Sequence, residues 1–229
     1  MKLAVYAFVL LSAGFASAQY STPAEGEYVL NDGTWGSLQV QSSGKFRIET
    51  IGANGHICEL GGAITNGKSQ LEKSACQVNF KAEGQTLTVA TNDSDACKDF
   101  CGARSWFEGV YRKPPPFCVS KNVETVRKKF KQEYLAKNYS AALALINPVA
   151  TQCKPFLFWI DAGRVLNDLA LTQFKLDDRA GCIRTLQGLA KDAAMSDEEV
   201  RGNFPPTDAD MYLPVVRATR TNLRLCTKK

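Results

Sequence analysis

The sequence predicts an α+β chain with its two kinds of structure segregated: a small antiparallel β-barrel or sandwich, followed by an all-α domain of helical hairpins. Three observations predict it. Up to Arg112, short runs alternate apolar and polar residues, with turn dipeptides between them. From Val123 the apolar period changes to three and four. Between the two regimes lies Lys113-Pro114-Pro115-Pro116, whose prolines offer no backbone donors and form a semi-rigid joint.

Residues 1–18 read as an export leader. Lys2 supplies the positive start, Leu3 to Leu11 the apolar run, and Ala16-Ser17-Ala18 the small-residue cleavage site. The mature chain is then expected to start at Gln19, with no cysteine there to carry a lipid. The apolar run is shorter than the roughly 20 residues of a membrane span. All eight cysteines (58, 76, 97, 101, 118, 153, 182 and 226) follow the leader. An even count after a leader argues for disulfides in an oxidising compartment, and the expected destination is a bacterial periplasm or secretion from the bacterium. No pair has the two-residue gap of a zinc knuckle, and His56 is the only histidine, so neither metal nor cofactor is expected.

Charge and cysteines divide at the proline joint. Residues 19–113 carry nine Lys/Arg against eleven Asp/Glu, and residues 114–229 carry eighteen against twelve. Four cysteines fall on each side. The expected domains are therefore residues 19–113, a linker at 114–116, and residues 117–229.

In the first domain, Leu38 and Val40, Phe46 and Ile48, Cys58 and Leu60, Val78 and Phe80, and Leu87 and Val89 mark successive strand faces. Ser43-Gly44, Asn54-Gly55, Asn66-Gly67 and Glu83-Gly84 mark the turns. Six or seven strands in so short a stretch favour a barrel-like meander, ending in a strand from Trp106 to Tyr111. Cys58 and Cys76 are equidistant from Gly67, so a hairpin there would bring them together. Cys97 and Cys101, four apart, either close a small ring or anchor two separate bridges; the Cys58–Cys76 hairpin leaves them to each other.

The run Thr50-Ile51-Gly52-Ala53-Asn54-Gly55-His56-Ile57-Cys58, then Gly61-Gly62-Ala63-Ile64, and the ending from Cys97 to Tyr111 resemble a β domain of exported bacterial proteins. Some of these are described as lysozyme inhibitors of the LprI kind. The resemblance implies an exported inhibitor of lysozyme-like peptidoglycan hydrolases. The serine-and-lysine loop signature of the barrel-type lysozyme inhibitors is absent. Such hydrolases work with a carboxylate pair, so an inhibitor would present polar and basic loops. The surface formed by Asn54, Gly55, His56, Arg104 and Trp106 is the expected partner-binding site. Arg104 would aim its planar donor fork at carboxylates or pair with Asp99 or Glu108.

In the second domain, Val123, Val126, Phe130 and Tyr134 form an apolar stripe, with Lys121, Arg127, Lys128, Lys129 and Lys131 largely opposite. This basic face reads as solvated, or as attracted to an anionic envelope surface or an acidic protein; export argues against nucleic acid. A second helix is expected to stop at Asn147-Pro148, a third to start at Pro155, a fourth to run from Arg179 to Ala190, and a last to begin near Pro214. Tyr134–Leu143 echoes Phe174–Ile183 at an offset of 40 residues. The echo is similar to tetratricopeptide helical hairpins. Cys118–Cys153 and Cys182–Cys226 would brace it, although four cysteines allow three pairings.

No catalytic set emerges. Asp161, Asp168, Asp177 and Asp178 are carboxylates, but Asp177 and Asp178 fit a helix cap, and no Gly-x-Ser-x-Gly elbow accompanies His56. The expected function is a protein-binding protein, an inhibitor of envelope hydrolases. The alternative is an envelope interaction module that docks partners on its helical domain.

Overall fold

The computed structural model describes residues 23–228, so the expected leader lies outside the described residues. Eight strands come first: β1 (Gly26–Asp32), β2 (Thr34–Val40), β3 (Lys45–Ile51), β4 (Ile57–Ala63), β5 (Lys68–Gln70), β6 (Gln77–Glu83), β7 (Thr86–Thr91) and β8 (Gly109–Arg112). All pairings are antiparallel, in the order β4-β3-β2-β1-β8-β7-β6-β5. Every strand therefore neighbours its sequence neighbour except at one place. β1 pairs with β8, and the seam of this nearly closed barrel falls between β4 and β5.

Period-two alternation fills the interior. Tyr28, Leu30, Leu38, Ile48, Phe80, Leu87 and Tyr111 are buried there, and Phe46 meets Phe80 edge-on with centroids 4.9 Å apart. The Tyr111 hydroxyl donates to the Phe107 carbonyl at 2.8 Å, so its polar end is satisfied inside the core. β8 starts three residues later than the sequence suggests. Trp106 and Phe107 belong instead to the long β7–β8 connection.

That connection decides the disulfides, and the expected Cys58–Cys76 and Cys97–Cys101 pairs are corrected. The structure joins Cys58 to Cys101 and Cys76 to Cys97. The Asn66-Gly67 turn is real, with both residues at positive φ, but it joins only Thr65 to Lys68. β5 then pairs with β6 and not with β4, so the chain crosses the seam there and leaves Cys58 and Cys76 on opposite sides. The β7–β8 connection spans the gap as a strap. It is tied through Cys101 to β4 and through Cys97 to the residue preceding β6. The Gly102 N–H donates to the Ile57 carbonyl at 2.8 Å, extending the strap's hold on β4.

Seven helices follow: α1 (Ser120–Leu135), α2 (Tyr139–Gln152), α3 (Trp159–Lys175), α4 (Arg179–Leu186), α5 (Ala190–Ala193), α6 (Asp197–Asn203) and α7 (Pro206–Thr227). Cys118–Cys153 braces α1 against α2, and Cys182–Cys226 joins α4 to α7. Four expected helix boundaries move. α4 ends at Leu186 and not at Ala190, because a 3-10 turn at Gln187–Leu189 follows it. α2 runs through Pro148 and α7 through Pro214. In each, the buried stripe continues past the proline (Ile146, Val149 and Ala150; Leu213, Val215 and Val216), and that burial outweighs the lost backbone hydrogen bond. Pro206 instead occupies the first turn of α7, where a missing N–H costs nothing. α3 begins at Trp159, after a short 3-10 turn at Lys154–Phe156.

The 40-residue echo is a repeated turn. Lys137 and Asp177 both take left-handed φ, 64° and 61°. The N–H groups of Asn138 and Asp178 donate to Glu133 and Gln173 at 2.9 Å each. Asp178 then caps α4 by accepting from the Gly181 N–H at 2.7 Å.

The strap pairing has a direct check. The two bridges enclose 43 and 21 residues, worth about 4 and about 3 kcal/mol by loop-closure entropy. Removing either pair with serines should cost a comparable, large part of barrel stability in urea unfolding. Non-reducing peptide mapping should recover Cys58 linked to Cys101; a peptide linking Cys97 to Cys101 would contradict the fold.

Candidate binding groove

The helical unit sits on the outer faces of β1 and β2. Tyr28-Val29-Leu30 is buried without alternation, and Glu27 and Asn31, on the same face of β1 as Val29, contact the helical unit. Glu27, buried at 6% exposure, accepts from the Ser120 hydroxyl at 2.7 Å, from the Ser120 N–H at 3.2 Å, and from Gln39 Nε2 at 3.0 Å. A barrel carboxylate thus stands at the N-terminus of α1, where the helix dipole favours negative charge and no side chain of the helix's own provides a cap. Asn31 Nδ2 donates to the Pro155 carbonyl, and Trp35 Nε1 to the Phe156 carbonyl, both at 3.0 Å. The Trp35 ring meets Phe158, with centroids 6.0 Å apart.

These contacts produce a groove. α1 and α3 both pack on α2 and stand apart from each other. Trp35 and residues 156–158 close the space between them into a cavity of 730 Å³. Its walls are largely apolar, with Val123, Phe130, Tyr134, Leu157 and Leu171 among them. Phe130 and Tyr134, placed on the apolar stripe by sequence, meet at a tilt with centroids 5.8 Å apart along α1.

A polar band crosses these walls. Arg127 lies 3.8 Å from Asp161 and 4.0 Å from Asp168, contacts too long for hydrogen bonds. Asp161 is held more closely by Arg164, at 2.9 Å. Burial pushes the Asp168 carboxyl above its usual range, and Arg127 offsets this only in part. Arg127 therefore leaves the solvated face expected for it and turns toward the groove. Lys128 pairs with Glu124 at 2.6 Å, and that partner holds the Glu124 carboxyl low. Lys131 also lines the groove, and Lys129 is exposed.

The sequence-derived site divides. Asn54 and Gly55 form part of the contact between units. Asn54 N–H donates to Asp208 Oδ2 at 2.8 Å, and Asn54 Oδ1 accepts from the Thr207 N–H at 3.0 Å. A Cβ on Gly55 would lie 2.8 Å from the Thr207 methyl. His56 is half-buried against Gly102, where a Cβ would come within 2.7 Å of its ring. Gly102 thus serves this close approach. Arg104 and Trp106 remain outside, on the strap. Arg104 is exposed and makes no ion pair among the described residues, while Glu108 instead accepts from the Thr91 N–H at 3.0 Å. Trp106 is 43% exposed and rests over Gly33. The structure thus separates the five residues into a docked pair, a half-buried ring and an exposed shoulder.

Glu27, Trp35, Asp208 and the Phe156–Phe158 segment were not singled out by sequence. The available signal was the unbroken apolar run at Tyr28-Val29-Leu30, which marks a strand covered on both faces. Among the described residues no cluster of His, Cys, Asp or Glu is arranged to hold a metal, and no helix is long and apolar enough to cross a membrane. No protein-family model, curated protein or solved structure matches the chain. The four disulfides fit an exported protein in an oxidising compartment.

Asp168 makes a pH prediction. Its folded pKa lies above the unfolded value, so its charge opposes folding at neutral pH. That opposition should fade as pH falls through the folded pKa and be gone below the unfolded value, about 3.9. Asp168→Asn should raise the melting temperature slightly at pH 7, and the gain should shrink towards pH 4. A gain that grows on acidification would contradict the assignment.

Proposed function

We propose that this chain is an exported protein-binding protein whose helical unit, seated on the barrel, docks a polypeptide partner of the envelope. The observation that carries the reading is the groove between α1 and α3. It is concave, apolar and aromatic-lined, with a few convergent polar groups, and the contact between units preforms it. A photo-crosslinking residue at Leu135, which lines the groove and is 69% exposed, should trap a discrete partner in living cells. One at Ile183, exposed outside the groove, should not. Equal trapping from both positions would remove the reading.

A second reading, inhibition of a lysozyme-like peptidoglycan hydrolase, is favoured by one observation: Arg104 and Trp106 are exposed on a strap held by two disulfides. Its shoulder is narrower than the sequence suggests, because Asn54 and Gly55 are engaged by α7. In a turbidity assay the full chain should slow a lysozyme, and Arg104→Ala should relieve the inhibition at least tenfold. No slowing of any lysozyme class would exclude it.

A further inference from the structure

Resting on the groove as the docking surface, we propose that the segment it receives is acidic as well as apolar. Its aliphatic or aromatic side chains enter between α1 and α3, and one of its carboxylates takes Arg127 from Asp168.

Charge complementarity carries the choice of occupant. α1 bears Lys121, Arg127, Lys128, Lys129 and Lys131 against only Glu124 and Glu133. Of the cations lining the groove, Lys128 is taken by Glu124, whereas Lys131 has no ion pair among the described residues. Of the two groove aspartates, Asp161 is already bonded to Arg164 at 2.9 Å. Among the lining residues three cations, Arg127, Lys128 and Lys131, meet three carboxylates, Glu124, Asp161 and Asp168; with Glu124 held by Lys128 and Asp161 by Arg164, the cations left open are Lys131 and the loosely paired Arg127.

Arg127 is the group a ligand would use. Its guanidinium makes no hydrogen bond among the described residues, and its two ion pairs are 3.8 and 4.0 Å long. Its donor fork is thus held near the groove by charge while its hydrogen-bonding capacity stays unspent. A carboxylate arriving in the plane of the fork would gain two short bonds that neither aspartate makes. An apolar side chain seated on the walls beside that contact would shield it from water and strengthen it.

Asp168 is then a built-in competitor. Its carboxylate stands beside the same guanidinium, repels an incoming carboxylate and accepts no hydrogen bond among the described residues. Neutralising it should strengthen acidic binding. A groove made for a basic segment would respond in the opposite way, because Asp168 would be its anchor.

The experiment uses the full chain and two blocked, fluorescein-labelled decapeptides, one alternating Glu with Leu and Phe, the other alternating Lys with the same residues. The expected result in fluorescence anisotropy is binding of the Glu peptide in preference to the Lys peptide. Asp168→Asn should tighten it by about threefold or more, and Arg127→Gln should weaken it by about tenfold. Arg127→Lys, which keeps the charge without the fork, should fall between. Preference for the Lys peptide, or weaker Glu-peptide binding in Asp168→Asn, would overturn the acidic assignment and leave the docking groove standing. Binding of neither peptide would overturn both. The gain in Asp168→Asn also separates the proposal from loss of folding, which cannot tighten binding.

Discussion

The structure depends on a buried carboxylate at the start of a helix that belongs to the other unit. Glu27 is almost without solvent, so its charge has to be met by protein donors. Ser120 supplies two of them and Gln39 a third. α1 can then leave the barrel in one direction, because any other would strand the charge. The first wall of the groove is set by that direction. The second is set by Asn31 and Trp35, whose side chains hold the carbonyls of Pro155 and Phe156 just ahead of α3. Asn54 and Asp208 fix α7 in the same way, at a helix start. The barrel thus acts as a template that orients helix N-termini.

A template has to be rigid, and an eight-stranded meander with an open seam is not rigid by hydrogen bonding alone. The strap supplies what the missing β4–β5 ladder does not. Its two cysteines reach opposite sides of the gap, and its close approach to the barrel wall needs Gly52, where a Cβ would lie 1.9 Å from the Arg104 carbonyl oxygen. The same strap exposes Arg104 and Trp106, so the element that closes the barrel also presents an arginine and a tryptophan to solvent.

The segregated α+β class and the change of period at the proline joint were legible because each rests on local patterning. So was the repeated turn, since Lys137-Asn138 and Asp177-Asp178 place a left-handed residue before a helix start in both copies. The bridges of the barrel were not legible. A symmetric spacing about Gly67 implies a hairpin, and only the pairing of β5 with β6 shows that the chain crosses a seam there. Pro148 and Pro214 misled for a related reason: a proline's local cost is visible in sequence, whereas the burial that outweighs it is tertiary. The groove was half legible. Phe130 and Tyr134 fell on the right stripe, but Arg127 was assigned to solvent because Asp161 and Asp168 approach it from a different helix. Trp35 could not be placed, since a tryptophan on the polar face of a strand does not reveal what covers it.

The most direct test is a double-mutant cycle across the junction, with Glu27→Gln and Ser120→Ala measured singly and together by urea unfolding. If the barrel carboxylate orients α1, the two residues should couple by about 1–3 kcal/mol, and both units of the wild-type chain should unfold in one transition. Additive effects within about 0.5 kcal/mol, with the barrel and the helices melting separately, would contradict the account.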